Sequence, residues 1–129
     1  MEFKELIVYQ KVLEAYSRLE TSVLSIKELD RNLKDQLKRA SISIVLNIAE
    51  GSSRFSYADR KNYLVISRGS AFEYVAILDI IGLSTKQNFS QIENLLEEIS
   101  KILYKMISTL NNQKKKITEL KRVTAEIVA

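Results

Sequence analysis

Almost nothing in this chain can break a helix: 129 residues contain no proline and only three glycines, Gly51, Gly69 and Gly82. A β protein needs a turn every few residues, built mostly from those two residue types, whereas a helical protein needs only a few interruptions. Apolar residues recur at three- and four-residue spacing in four stretches. The first covers about residues 3–25, with Leu6, Tyr9, Leu13, Tyr16, Leu19 and Val23 in register. The second runs from about Asp30 to Glu50 and is expected to stop at Gly51, since glycine suits the left-handed residue after a helix.

Ser56 with Asp59 has capping-box spacing and opens a third helix, expected to end at Gly82. Ser90 with Glu93 repeats that signal before a fourth, whose stripe is Ile92, Leu95, Leu96, Ile99, Ile102, Leu103, Met106 and Leu110. Short connectors favour antiparallel neighbours, so the expected fold is all-α, an antiparallel up-down four-helix bundle over residues 1–110. Residues 111–129 contain Lys114, Lys115 and Lys116, yet Ile117, Leu120, Val123 and Ile127 keep helical spacing. They form a basic C-terminal tail, read as a helical extension rather than a disordered segment.

The chain has no cysteine and no histidine. That removes disulfides, thiolate metal sites, the usual imidazole ligands and every Ser-His or Cys-His nucleophile pair. A noncatalytic protein without cofactor or metal is expected. No apolar run approaches the roughly 18 to 20 residues that a membrane span needs, and the N-terminus lacks a signal-peptide core, so the expected location is the cytoplasm. Charge is uneven. Residues 31–68 carry eight basic and three acidic groups and residues 111–129 five and two, while the remaining segments are each net −2 within a total of +4.

The second and third helices hold more apolar surface than one bundle can cover. At about 100° per residue, Leu33, Leu37, Ala40, Ile44 and Ile48 form one stripe of the second helix. Ile42, Val45, Leu46 and Ala49 form another. On the third helix, Leu64, Ala71, Val75 and Leu78 lie apart from Tyr63, Ile66, Ile77 and Ile81. A monomer rarely exposes so much, so the surplus residues Ile42, Val45, Leu46, Ala49, Leu64, Ala71, Val75 and Leu78 are expected to form an interface between copies. The alternative is a tail that folds back over them. Between the two stripes run Arg39, Ser43, Asn47 and Glu50. Glu73 projects from the third helix among apolar neighbours, and is expected to be buried against Arg39 or Asn47 in a polar network.

The run Gln36-Leu37-Lys38-Arg39-Ala40-Ser41-Ile42-Ser43-Ile44, then Asn47-Ile48-Ala49-Glu50-Gly51 and Arg54, with Gly69-Ser70-x-x-Glu73 downstream, resembles the signature of the bacterial rRNA intervening-sequence proteins. The likeness covers about residues 3–110. It places Arg39, Asn47, Glu50, Gly51, Arg54, Gly69, Ser70 and Glu73 on family positions. Val45 stands where the family often has proline, Tyr9 where it often has tryptophan, and no Phe-Pro precedes the second helix. The resemblance implies a four-helix bundle that forms a homopentamer around a central channel, in a family named for its genes' location inside large-subunit rRNA intervening sequences. Related accessory proteins of diversity-generating retroelements form similar barrels and bind nucleic acid through basic surface.

The functional expectation is a homo-oligomeric module, pentameric by resemblance, that contacts RNA or DNA electrostatically. Lys34, Lys38, Arg54, Arg60, Lys61, Arg68, Lys114, Lys115 and Lys116 are the candidate contacts. A protein-binding scaffold with no nucleic-acid role is the alternative.

Overall fold

The computed structural model describes residues 1–128 and contains only helices and connectors among them; Ala129, the end of the tail, lies outside the described residues. A 3-10 turn (Glu2–Glu5) passes through an extended Leu6 into α1 (Ile7–Ser22). Then come α2 (Arg31–Ser52), α3 (Tyr57–Thr85) and α4 (Ser90–Val128). Each helix packs on two neighbours, α1 on α2 and α4, α3 on α2 and α4, and the backbones of diagonal helices lie farther apart across the shared core. The architecture is the antiparallel four-helix bundle that the spacing predicts.

The helix starts follow local chemistry. Asp30 accepts a hydrogen bond from the Leu33 amide at 3.0 Å, and Ser56 accepts one from the Asp59 amide at 3.1 Å. Each satisfies a first-turn donor that has no partner within its helix. The Ser90–Glu93 box does not form. Instead Asn88 Oδ1 accepts from the Ser90 amide at 2.7 Å, and the Glu93 amide bonds the Phe89 carbonyl.

Two expected stops are also displaced. Gly51 lies inside α2 and Gly82 inside α3. The left-handed residue closing α3 is Lys86, at φ 57°.

The core is lined by Leu37, Ala40, Ile44 and Ile48 from α2 and by Ile92, Leu96, Ile99 and Leu103 from α4, as the stripes predict. On α1 the buried face is Val8, Val12, Ala15, Leu19 and Val23, while Leu13 is exposed. That face is turned by about one residue relative to the expected one, leaving Tyr9 and Tyr16 partly buried at its edge. The tail does not fold back. α4 continues unbroken to Val128, every residue from 112 to 128 is exposed, and Leu110 is the last hydrophobic residue packed on the core.

Tyr74 is fully buried and its hydroxyl has no hydrogen-bond partner. An unsatisfied buried hydroxyl costs about 1 to 3 kcal/mol, whereas removing it leaves a well-packed ring. Tyr74→Phe is therefore expected to raise stability by about 1 kcal/mol in chemical denaturation. Burial also pushes the Tyr74 phenol far above its ordinary range. An unfolded tyrosine ionises at about pH 10 while the folded one stays neutral, so stability is full below that pH and falls above it. The variant should flatten that alkaline limb; an unchanged limb contradicts the assignment.

Candidate functional site

The residues that carry the family resemblance build the corner between α2 and α3. A Cβ on Gly51 would sit 3.0 Å from Tyr63 Cβ, so glycine is what lets the two helices meet here. The Arg54 guanidinium lies over the Tyr63 ring, 4.7 Å from its centroid, donates to the Tyr63 hydroxyl and faces Glu50 at 3.8 Å. Arg60 Nε donates to the Arg54 carbonyl at 2.6 Å. Glu50, Gly51 and Arg54 together clamp a turn.

Further along the same helix pair the polar contacts are neutral. Ser67 Oγ donates to the Ile44 carbonyl at 2.9 Å, the Ser43 and Ser70 hydroxyls share a hydrogen bond of 2.8 Å, and Asn47 donates to Ser43 at 2.8 and 3.1 Å. Of the expected network, Ser43 and Asn47 are joined, with the motif residue Ser70 as a further partner and Ser67, which no sequence signal marks, beside them.

Glu73 is not buried. Its side chain is 47 % exposed and faces Arg39 at 4.0 Å across open surface. Glu50 is likewise exposed. The carboxylates can stay hydrated because both point outward from the α2–α3 seam. An exposed pair of this length contributes at most about 1 kcal/mol, so the large penalty for stranding a buried charge does not apply.

The expected interface is corrected on α3. Leu64, Ala71 and Leu78 are core residues, and Val75 is partly buried beside them. The opposite face points out, and it too is apolar: Val65, Ile66, Phe72, Ile80 and Leu83 are all exposed, Phe72 by 56 % and Leu83 by 85 %. Val65, Gly69, Phe72, Ala76 and Leu83 follow a heptad spacing, with Ile66, Glu73 and Ile80 beside them. From α2, Ile42 and Leu46 are exposed and Val45 and Ala49 partly so.

Gly69 stands in the middle of this face. A Cβ there would meet nothing within 4 Å. Glycine inside a helix costs about 1 kcal/mol relative to alanine, and no contact within the chain requires it.

The candidate cationic contacts divide. Arg54 and Arg60 are engaged in the corner. Arg68 donates to the Ser100 carbonyl at 3.2 Å and lies over both Phe72 and Tyr104. Lys34 and Lys38 sit near the other end of α2, roughly 25 to 30 Å from Arg54 at about 1.5 Å per residue. Lys61 is partly buried at the start of α3. Lys114, Lys115 and Lys116 are exposed on the projecting end of α4 and form no ion pair among the described residues.

Two grooves escape sequence reasoning because each joins distant segments. One, of about 970 Å³, lies where α4 leaves the bundle. Its walls are Phe3 and Leu6, the end of α2, and Ile102, Met106 and Leu110 of α4. The other, about 410 Å³, runs between α3 and α4 over Phe72, Val75 and Leu96, with Asp79, Glu93 and Glu97 along it. Burial, and then the Asp79 carboxylate beside it, raise the Glu93 carboxyl above its ordinary range. A raised carboxyl adds stability that is complete below its unfolded pKa and is lost as pH rises through the folded one. Glu93→Gln should therefore raise the melting temperature at pH 7 and give no such gain at pH 3; an equal gain at both would contradict the Asp79 contact.

Among the described residues no group of three or more histidine, cysteine, aspartate or glutamate side chains could hold a metal ion, and no helix is long and apolar enough to cross a membrane. Comparison with curated proteins gives no match. A solved structure from Bacteroides thetaiotaomicron, described as a protein of unknown function from the S23 ribosomal protein family, superposes with a TM-score of 0.72 and 27 % identity. The match covers 84 % of this chain and 99 % of that one. The profile of the 23S rRNA-intervening sequence proteins matches residues 4–105. The chain, whose corner clamp and helix order carry that signature, belongs to the 23S rRNA-intervening sequence protein family.

Proposed function

We propose that the protein is a noncatalytic module that assembles with copies of itself through the outer faces of α2 and α3, and that the assembly offers basic surface to RNA or DNA. The observation that carries the reading is Gly69, a glycine with empty space around it amid exposed Val65, Ile66, Phe72 and Ile80. Close approach of a second helix gives both the glycine and the apolar side chains a purpose. In a ring each subunit meets two neighbours through different surfaces, so Ile42 and Leu46 of one copy can cover the α3 face of the next. Five subunits follow from the family resemblance.

The polyanion reading rests on the unpaired Lys114, Lys115 and Lys116. Each phosphate contact steepens the dependence of affinity on salt, by about 0.9 in the log–log slope for duplex DNA. Replacing the three lysines with glutamine should weaken binding to a duplex and make that slope shallower. Full-length protein that binds neither RNA nor DNA at low salt contradicts this part, and the protein-binding scaffold reading replaces it.

A further inference from the structure

The projecting end of α4 has no counterpart in the matched family region, which ends at residue 105, and nothing in the chain supports it. Residues 112–128 are all exposed, so this part of the helix lacks the tertiary packing that supplies most helical stability in proteins. Yet it carries a row of apolar side chains, Ile117, Leu120, Val123 and Ile127, with Leu120 66 % exposed. Leu120, Val123 and Ile127 follow Ile102, Lys105 and Thr109 by eighteen residues each, about five full turns, and so share their face of the helix. That face of residues 102–110 is one wall of the large groove where α4 leaves the bundle. One unbroken helix therefore presents first an apolar groove and then an apolar ridge, on the same side.

The geometry points to a second copy of this chain as the occupant of the groove. Two α4 helices laid antiparallel place the ridge of each in the groove of the other, and the two-fold axis between them closes the contact. Leu120 and Val123 fill the space beside Ile102 and Met106 of the second copy. Lys116 lies within the ridge, and the groove's rim carries both signs, Glu2 and Glu50 with Arg60 and Lys105, so apolar complementarity carries the placement. Lys114 and Lys115 point away from the contact and stay open to solvent. The pairing uses the end of the bundle rather than Ile42, Leu46 and the outer face of α3, meeting that interface only at Ala49, so it doubles whatever those faces assemble.

The test is made on the full chain. Leu120→Glu/Val123→Glu puts two charges into the ridge and leaves the bundle untouched, since no residue after Leu110 packs on the core. Light scattering should show the particle mass halved, with helical content by circular dichroism retained. A second variant gives a positive signal. The natural chain has no cysteine, and residues 106 and 120 are about 21 Å apart along one helix, too far for a bond within a chain. Met106→Cys/Leu120→Cys should oxidise to covalently joined chains, whereas Leu120→Cys alone should not. If the charged variant keeps the parent mass and the double cysteine variant does not cross-link, the pairing is wrong. A parent of two chains that becomes one in the charged variant would uphold the pairing while refuting the ring.

Discussion

Phe72→Glu is expected to disperse the assembly until at most two chains remain together, the pair joined through α4, without loss of helix. Phe72 is exposed in the single chain, so a carboxylate there costs the bundle little. In the proposed interface the same carboxylate would be buried against Ile42 and Leu46 of a neighbour with no partner, a penalty of several kcal/mol at every junction. The effect should extend to polyanion binding. A ring holds several basic tails together, and linked sites exceed a single site by roughly 10²- to 10⁴-fold when geometry lets them engage at once. The variant should lose affinity for a long RNA or DNA by a factor of that order while binding a short duplex with little change. Retention of the parent mass would remove α3's outer face from the interface.

The three glycines supply the second large effect, because two of them should respond to alanine with opposite sign. At Gly51 the new methyl meets Tyr63 Cβ, an atom fixed to the backbone, and overpacking of that kind costs about 1 to 3 kcal/mol. The helix-propensity gain of about 1 kcal/mol offsets part of this, so Gly51→Ala should be neutral to destabilising and Gly51→Val clearly destabilising, with the α2–α3 corner opened. At Gly69 the methyl meets nothing within the chain. Measured in the Phe72→Glu background, Gly69→Ala should stabilise the fold by about 1 kcal/mol, while in the parent it should weaken assembly. Equal shifts at the two positions would show that packing does not distinguish them.

The reasons some of this can be read in sequence and some cannot are physical. α4 bears one apolar stripe against a polar background, and periodicity alone selects its inward face; of the two stripes on α2, the longer one, through Leu37, Ala40, Ile44 and Ile48, is the one buried. α3 is apolar on nearly every side. Tyr74 and Ile77 point in while Phe72 and Ile80 point out, and nothing local separates them. Only the positions of α2 and α4 decide, so spacing alone places Leu64, Ala71 and Leu78 on the wrong surface. Glu73 failed for the same cause, since its apolar neighbours along the helix belong to the outer face.

Glycine misleads for a different physical reason. Gly51 and Gly82 sit near helix ends, where a left-handed turn is the usual reason for the residue, but Gly51 serves a close crossing and Lys86 makes the turn at the end of α3. The corner clamp was visible as a motif, though not as a contact between Arg54 and Tyr63, nine residues apart. The groove under α4 joins Phe3 and Leu6 to residues beyond 100, and no local pattern announces such a pairing.

Self-assembly through the outer faces of α2 and α3 is the central claim, and the particle mass of the nuclease-treated, full-length protein at micromolar concentration tests it most directly. Five chains of 14.8 kDa form a ring of about 74 kDa, and pairing through α4 gives twice that. Light scattering coupled to size exclusion should return one of these two masses. A mass of one chain, or of a single pair, would contradict the claim.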